Sequence, residues 1–162
     1  MKTLATDLDG TLYLDDLLIK GVESAYKSLI LDNYKIYHTT NNSSQSTDVL
    51  AKKLSNLLNA DIDLSSIVTP LVVLKEYLSN KKLSIFVYGS KDVKDFVSSI
   101  SNTVTNIENS NFIIMGRVDS PSESELDLIA ESIKSGKEGA TLNKDLTYPI
   151  SESEFKPGNG QI

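Results

Sequence analysis

Short apolar runs alternate along this chain with apolar stripes at helical spacing, and that alternation sets the expected architecture. The stretch around Leu4 and Ala5 predicts a strand over residues 2–8, followed by a loop and a helix from Val22 to Leu31. Lys35–Thr39 reads as a second strand. Leu50, Leu54, Leu57 and Leu58 then fall at i, i+4, i+7 and i+8 behind Ser46 and Thr47, either of which can cap a helix. Ile67-Val68 reads as a short strand, and Pro70 as the first residue of a helix running to Leu78. A strand over Ser84–Tyr88, a helical stripe of Val93, Phe96, Val97 and Ile100, and a strand over Asn111–Met115 follow. Ser120, Pro121 and Glu123 predict a helix start in the capping-box pattern, with Leu126, Ile129, Ala130 and Ile133 as the buried face. Strands alternating with helices in this way predict an α/β fold on a parallel sheet.

Composition narrows the picture without changing it. At 162 residues the chain is long enough for one domain with its own core, or for parts of two. Apolar residues make up 40%, which marks a folded globular protein rather than a disordered one. No repeat of fixed period and no flexible linker interrupts it, although the tail from Ser151 to Ile162 turns polar and Gly-rich. The net charge of -6, with no basic stripe, argues against nucleic-acid binding, which draws its affinity from clustered Lys and Arg. Cysteine is absent, so neither a disulfide framework nor a thiolate is available. The N-terminus is too soon charged for a signal peptide, and no apolar run approaches membrane-spanning length. A cytoplasmic protein without a membrane partner is the expectation.

The candidate chemistry lies in Asp7-Leu8-Asp9-Gly10-Thr11-Leu12. Two carboxylates two residues apart share one side of a continuing strand. Gly10 breaks that strand, so the pair stands where a strand opens into a loop, the usual place for chemistry in α/β sheets. Asp and Gly are also ordinary turn-formers, and taken alone such a run reads more readily as a turn. A calcium loop is excluded, because its twelfth position requires Glu and Leu18 stands there.

Three motifs resemble one family. Asp-x-Asp-Gly-Thr-Leu after an N-terminal strand is similar to the first signature of the haloacid-dehalogenase-like (HAD) phosphohydrolases. Lys35–Ser44, an apolar strand ending Thr40-Asn41-Asn42-Ser43-Ser44, resembles the second signature of the subfamily of NagD-type, para-nitrophenyl phosphate and phosphoglycolate phosphatases. Gly139–Pro149, with Pro157-Gly158-Asn159-Gly160 beyond it, resembles that subfamily's cap. The resemblance implies a Rossmann-like parallel-sheet core, incomplete here, over residues 1–68, and an inserted α/β cap over 69–162.

It also implies a mechanism. Asp7 is the expected nucleophile, forming an aspartyl-phosphate that splits hydrolysis into two easier steps. Asp9 is the expected acid/base, protonated first because two close carboxylates push one pKa upward. Mg²⁺ suits these hard oxygen donors; the resemblance assigns it the Asp7 carboxylate and the Asp9 backbone carbonyl. Thr40, Asn41 and Asn42 are the implied phosphate donors, a segment that otherwise reads as a polar turn with a helix cap. His38, the only histidine, is expected to be packed rather than catalytic, and Asp15 and Asp16 to be solvated loop acids. Tyr148 is either structural or a contact to the leaving group.

Two elements of the family's site have no counterpart: a charge-balancing Lys after the cap, and a later acidic motif containing Gly-Asp. The expectation is therefore an N-terminal portion of a small-metabolite phosphatase, with weak Mg²⁺ binding, little activity alone and an unpaired sheet edge. Caps of this subfamily imply a homodimer contact. A catalytically degenerate binding or assembly module is the alternative. A receiver-type phosphoacceptor domain is disfavoured by the Asp9-Gly10-Thr11 context and the cap-like second half.

Overall fold

A computed structural model of the chain describes residues 2–118, 120–149, 155–157 and 160. Two compact units divide it. The first holds the chain up to Asn41 together with Gln45–Thr69, and the second holds Asn42–Ser44 and the chain from Pro70 onward.

In the first unit, β1 (Lys2–Asp7) leads into a two-stranded hairpin, β2 (Tyr13–Leu14) and β3 (Leu17–Leu18). Helix α1 (Val22–Leu31), β4 (Tyr34–Thr39), α2 (Thr47–Leu58) and β5 (Ile67–Val68) complete it. The sheet is parallel in the order β1-β4-β5, with Asp7 opposite Thr39 and His38 opposite Ile67. Parallel neighbours need a crossover, and α1 and α2 provide the two. Ser46 caps α2 through its hydroxyl, which accepts from Val49 N at 3.4 Å, and Asn59 ends that helix in the left-handed conformation. Leu50, Ala51, Leu54 and Leu58 face inward and pack with Leu8, Tyr13, Tyr26, Ile36 and Ile67. The leucines are the expected stripe; Ala51 joins them because its small side chain lets the helix approach the sheet. Among the described residues β1 has a strand partner on one side only. On its face Leu4 and Thr6, with Ala25, Tyr26 and Leu29 of α1, line a shallow apolar hollow of about 90 Å³.

The second unit opens with α3 (Pro70–Leu78), β6 (Ser84–Tyr88), α4 (Lys91–Ile100) and β7 (Asn102–Val104). It continues through β8 (Phe112–Met115), α5 (Glu123–Lys134), β9 (Glu138–Thr141), β10 (Thr147–Pro149) and β11 (Phe155–Pro157). Its main sheet is again parallel, in the order β7-β6-β8-β9, and β10 and β11 pair as an antiparallel hairpin. Residues Leu71, Leu74, Ile85, Val87, Val93, Val97 and Ile114 form the core on one side of this sheet, and Tyr88, Ile113 and Ile129 form a smaller one.

The α/β class with parallel sheets is what the chain's periodicity predicts. One helix start differs. Ser122, not Ser120, caps α5: its hydroxyl accepts from Glu125 N at 3.4 Å, and Pro121 lies before the helix. The Ser-x-x-Glu spacing is satisfied by Ser122 and Glu125, two residues later than expected. The buried face of α5 is also narrower. Ile129 is buried and Leu126 half-buried, whereas Ala130 and Ile133 face solvent. No helix among the described residues is long and apolar enough to cross a membrane.

Candidate active site

Strand β1 delivers Asp7 to its C-terminal end, and Gly10, at φ +78°, turns the chain immediately afterwards. The turn is tied by backbone bonds from Gly10 N to Tyr13 O and from Leu12 N to Leu8 O, both 2.8 Å. These bonds use the carbonyls of Leu8 and Tyr13, which leaves the Asp9 carbonyl outside the turn's own hydrogen bonding. The Thr11 hydroxyl donates to Asp7 Oδ2 at 3.4 Å, so the carboxylate already has one local donor.

The neighbouring strand brings up the second motif. Pairing of β1 with β4 sets Asp7 beside Thr39, so Thr40 and Asn41 leave the sheet at the same edge. Thr40 is buried, and its N–H donates to Val68 O at 3.1 Å, which anchors the loop at its root. Asn41 is exposed. Asn42 belongs to the other compact unit, where its side-chain oxygen accepts from Ser44 N at 2.8 Å and Ser44 Oγ at 2.6 Å. That is the turn-forming role of an Asx residue, which occupies the amide oxygen. Thus Asp7, Asp9, Thr40 and Asn41 share one strand edge in the first unit.

Asp9 has the most informative electrostatics. Its residue remains accessible, but partial desolvation of the carboxyl raises its pKa above the ordinary aspartate value of 3.8. The positive charge of Lys53 opposes this, the negative charge of Asp7 adds to it, and a hydrogen bond from the Tyr13 hydroxyl opposes it again. Two carboxylates in one corner, one biased toward its protonated form, are what an acid/base partner to a nucleophile needs. The Tyr13 phenol is in turn held far above its usual range, by burial first and by Asp9 second.

Tyr13 and Lys53 were not legible as site residues. Tyr13 reads as one more apolar residue after the motif, and Lys53 as an ordinary lysine on an amphipathic helix. Folding places the Lys53 ammonium 4.2 Å from the centroid of the Tyr13 ring and 3.1 Å from Asp16 Oδ1. Asp16 keeps the solvated position expected of it, its side chain 93% exposed despite the Lys53 contact.

His38 is packed, as its place on an apolar strand predicts, with 1% of its surface exposed. Its Nε2 lies 3.1 Å from Tyr26 OH and its Nδ1 3.0 Å from Ser66 Oγ. Ser66 spends its single hydroxyl proton on Asp63 O at 2.6 Å, so it accepts from His38 Nδ1–H. Nε2 then accepts from the Tyr26 hydroxyl, and the ring is neutral. The side chain of Tyr148 lies outside the described part of the structure, as do Gly158 and Asn159.

As to a metal, the Asp7 carboxylate and the Asp9 carbonyl are hard oxygen donors at one strand end, which suits Mg²⁺ with water completing an octahedron. Among the described residues no group of three His, Asp or Glu side chains gathers closely enough to hold a metal by itself.

Comparison with known proteins bears on this geometry. Residues 4–101 match the family model described as haloacid dehalogenase-like hydrolase. An acid sugar phosphatase of Staphylococcus haemolyticus is 29% identical over 160 residues, covering 96% of this chain and 59% of that protein. The 4-nitrophenylphosphatase of Thermotoga maritima superposes with a TM-score of 0.82 at 25% identity, over 99% of this chain and 61% of that one. A glycerol phosphate phosphatase of Mycobacterium tuberculosis, solved in complex with magnesium, superposes at 0.80 with 23% identity, over 99% of this chain and 49% of that one. The chain thus spans about 60% of the length of the curated relatives it matches. It belongs to the haloacid dehalogenase-like hydrolases.

Proposed function

We propose that this haloacid dehalogenase-like hydrolase provides the nucleophile and acid/base of a Mg²⁺-dependent phosphomonoesterase acting on small phosphorylated metabolites. In this reading the first unit is part of the catalytic core and residues 69–162 form an inserted cap. Its main support is the convergence of Asp7, Asp9 and the Thr40–Asn41 loop at one edge of the β1–β4 pair. The relatives named acid sugar phosphatase and glycerol phosphate phosphatase favour a phosphorylated sugar or polyol as substrate.

The chemistry follows from the residues. An Asp7 oxygen attacks phosphorus in line as the bond to the ester oxygen breaks. Asp9, protonated, gives its proton to the departing alkoxide. It then takes a proton from water, which attacks the phosphorylated Asp7 and releases phosphate. The raised pKa of Asp9 serves the first of these steps, and acid/base help of this kind is worth about 10²–10⁴-fold. The Thr40 hydroxyl and the Asn41 and Asn42 amides are proposed to hold phosphoryl oxygens. Bound Mg²⁺ supplies the positive charge that lets an anionic ester approach two carboxylates.

The test is hydrolysis of para-nitrophenyl phosphate by the purified 162-residue chain, with and without Mg²⁺, against Asp7→Asn. Weak turnover or none is expected of this chain alone, and any Mg²⁺-dependent turnover should disappear in Asp7→Asn. Turnover that survives Asp7→Asn would refute the assigned nucleophile. A folded wild type that binds inorganic phosphate and turns nothing over would instead favour a binding module.

A further inference from the structure

Lys53 is a surface-helix lysine with unusual commitments. Its side chain keeps only 22% of its surface, and its ammonium reaches from α2 to the β2–β3 turn. There it donates to Asp15 O at 2.5 Å, pairs with Asp16 Oδ1 at 3.1 Å, and sits 4.2 Å from the centroid of the Tyr13 ring. Asp16 is 93% exposed, so that ion pair alone contributes little. The other two contacts differ in kind. One fixes the backbone of a turn whose Asp15 sits at φ +50°, and the other touches a ring that is 1% exposed, on a residue whose backbone is bridged to that of Asp9.

We propose that Lys53 is a positioning residue: by clamping the Asp15–Asp16 turn and the Tyr13 ring from α2, it holds the Tyr13 hydroxyl against the Asp9 carboxyl. The loop it steadies is otherwise held by its own backbone bonds and by the buried Leu12 and Tyr13 side chains. Gly10 is unbranched, and the hairpin is two residues on each side, too short to be stable alone. A carboxyl on such a loop samples several rotamers, and proton transfer needs one. The Lys53 contact spans 38 residues of sequence and joins the motif loop to the best-packed helix of the unit. An arginine can reproduce it, since a guanidinium stacks on an aromatic ring and donates to a carbonyl and a carboxylate together. A methionine keeps the stem and loses every polar contact.

The consequence for turnover rests on the phosphatase reading, whereas the clamp does not, and two measurements on the full chain keep them apart. Amide hydrogen exchange reads the clamp at Gly10, Leu12 and Ile19, whose N–H groups bond Tyr13 O, Leu8 O and Leu12 O at 2.8, 2.8 and 2.9 Å. Lys53→Met is expected to exchange about tenfold faster at these three amides, with Leu54 unchanged and Lys53→Arg close to wild type. Unchanged protection in Lys53→Met overturns the proposal. With an active wild type, Lys53→Met and Tyr13→Phe are each expected to lower kcat about tenfold at constant KM, with Lys53→Arg restoring it. A loosened hairpin with kcat unaltered also overturns positioning. If the wild type turns nothing over, the exchange comparison alone decides: lost protection upholds the clamp, and retained protection sinks it.

Discussion

Acidification should destabilise this protein through His38, and the size of the effect can be worked from the fold. The ring is 1% exposed, and both nitrogens are engaged, Nδ1 as donor to Ser66 and Nε2 as acceptor from Tyr26. Burial lowers its pKa below the ordinary 6.5, while the Ser66 contact opposes the shift only in part. The unfolded chain therefore binds a proton near pH 6 that the folded chain refuses, and stability rises with pH across that window. Full stability is present above about pH 7 and declines as the pH falls through 6.5 toward the folded value. Each pH unit in that window costs at most about 1.4 kcal/mol, so by pH 5.5 the loss has a ceiling of about 1.4 kcal/mol. Asp63, which accepts from the Ser65 backbone, is shifted the other way and acts only near or below its ordinary 3.8, outside the window. Urea unfolding at pH 7.5 and 5.5, compared between wild type and His38→Phe, isolates the histidine. The wild type should lose up to about 1.4 kcal/mol more than the variant between the two pH values. Parallel losses in the two proteins would refute the argument.

Two further substitutions probe the packing of each unit. Leu54→Ala empties a fully buried position on α2 and should cost about 2–5 kcal/mol, read as a lower urea midpoint with the slope unchanged. Gly139→Ala sets a methyl 3.0 Å from Ile113 O, across the β8–β9 pairing. It should lower the melting temperature by an amount equivalent to about 1–3 kcal/mol, because the neighbour it crowds is a strand-paired backbone carbonyl with little room to give.

Legibility in the sequence followed how local each feature is. Helix α2 was readable because its four leucines repeat at helical spacing and Ser46 caps it, all within one stretch. Strands β6 and β8 were readable because buried parallel strands show as apolar runs. Strand β9 was not: Glu138-Gly139-Ala140-Thr141 lacks branched apolar residues, and its strand character comes from pairing with Phe112–Met115. Strand β7, three residues at the other edge, was invisible for the same reason. The outer face of α5 misled in the opposite direction. Ile133 continues the stripe of Leu126 and Ile129 yet stays 45% exposed, since a stripe is buried only where a partner reaches it.

The candidate site divides along the same line. Asp7 and Asp9 stand within one hexapeptide, and their chemistry can be argued from spacing alone. The residues that act on Asp9 come from two places: Tyr13 from the next turn, and Lys53 from a helix after the following strand. Nothing in the sequence separates Lys53 from Lys52, its neighbour on the same helix. One step around the helix points Lys53 at Tyr13 and leaves Lys52 in solvent. That choice is made by the angle at which α2 packs, which is set by Leu50, Leu54 and Leu58 against the core. The electrostatics of Asp9 therefore depend on core packing, and a substitution such as Leu54→Ala should disturb the Lys53 contact as well as stability.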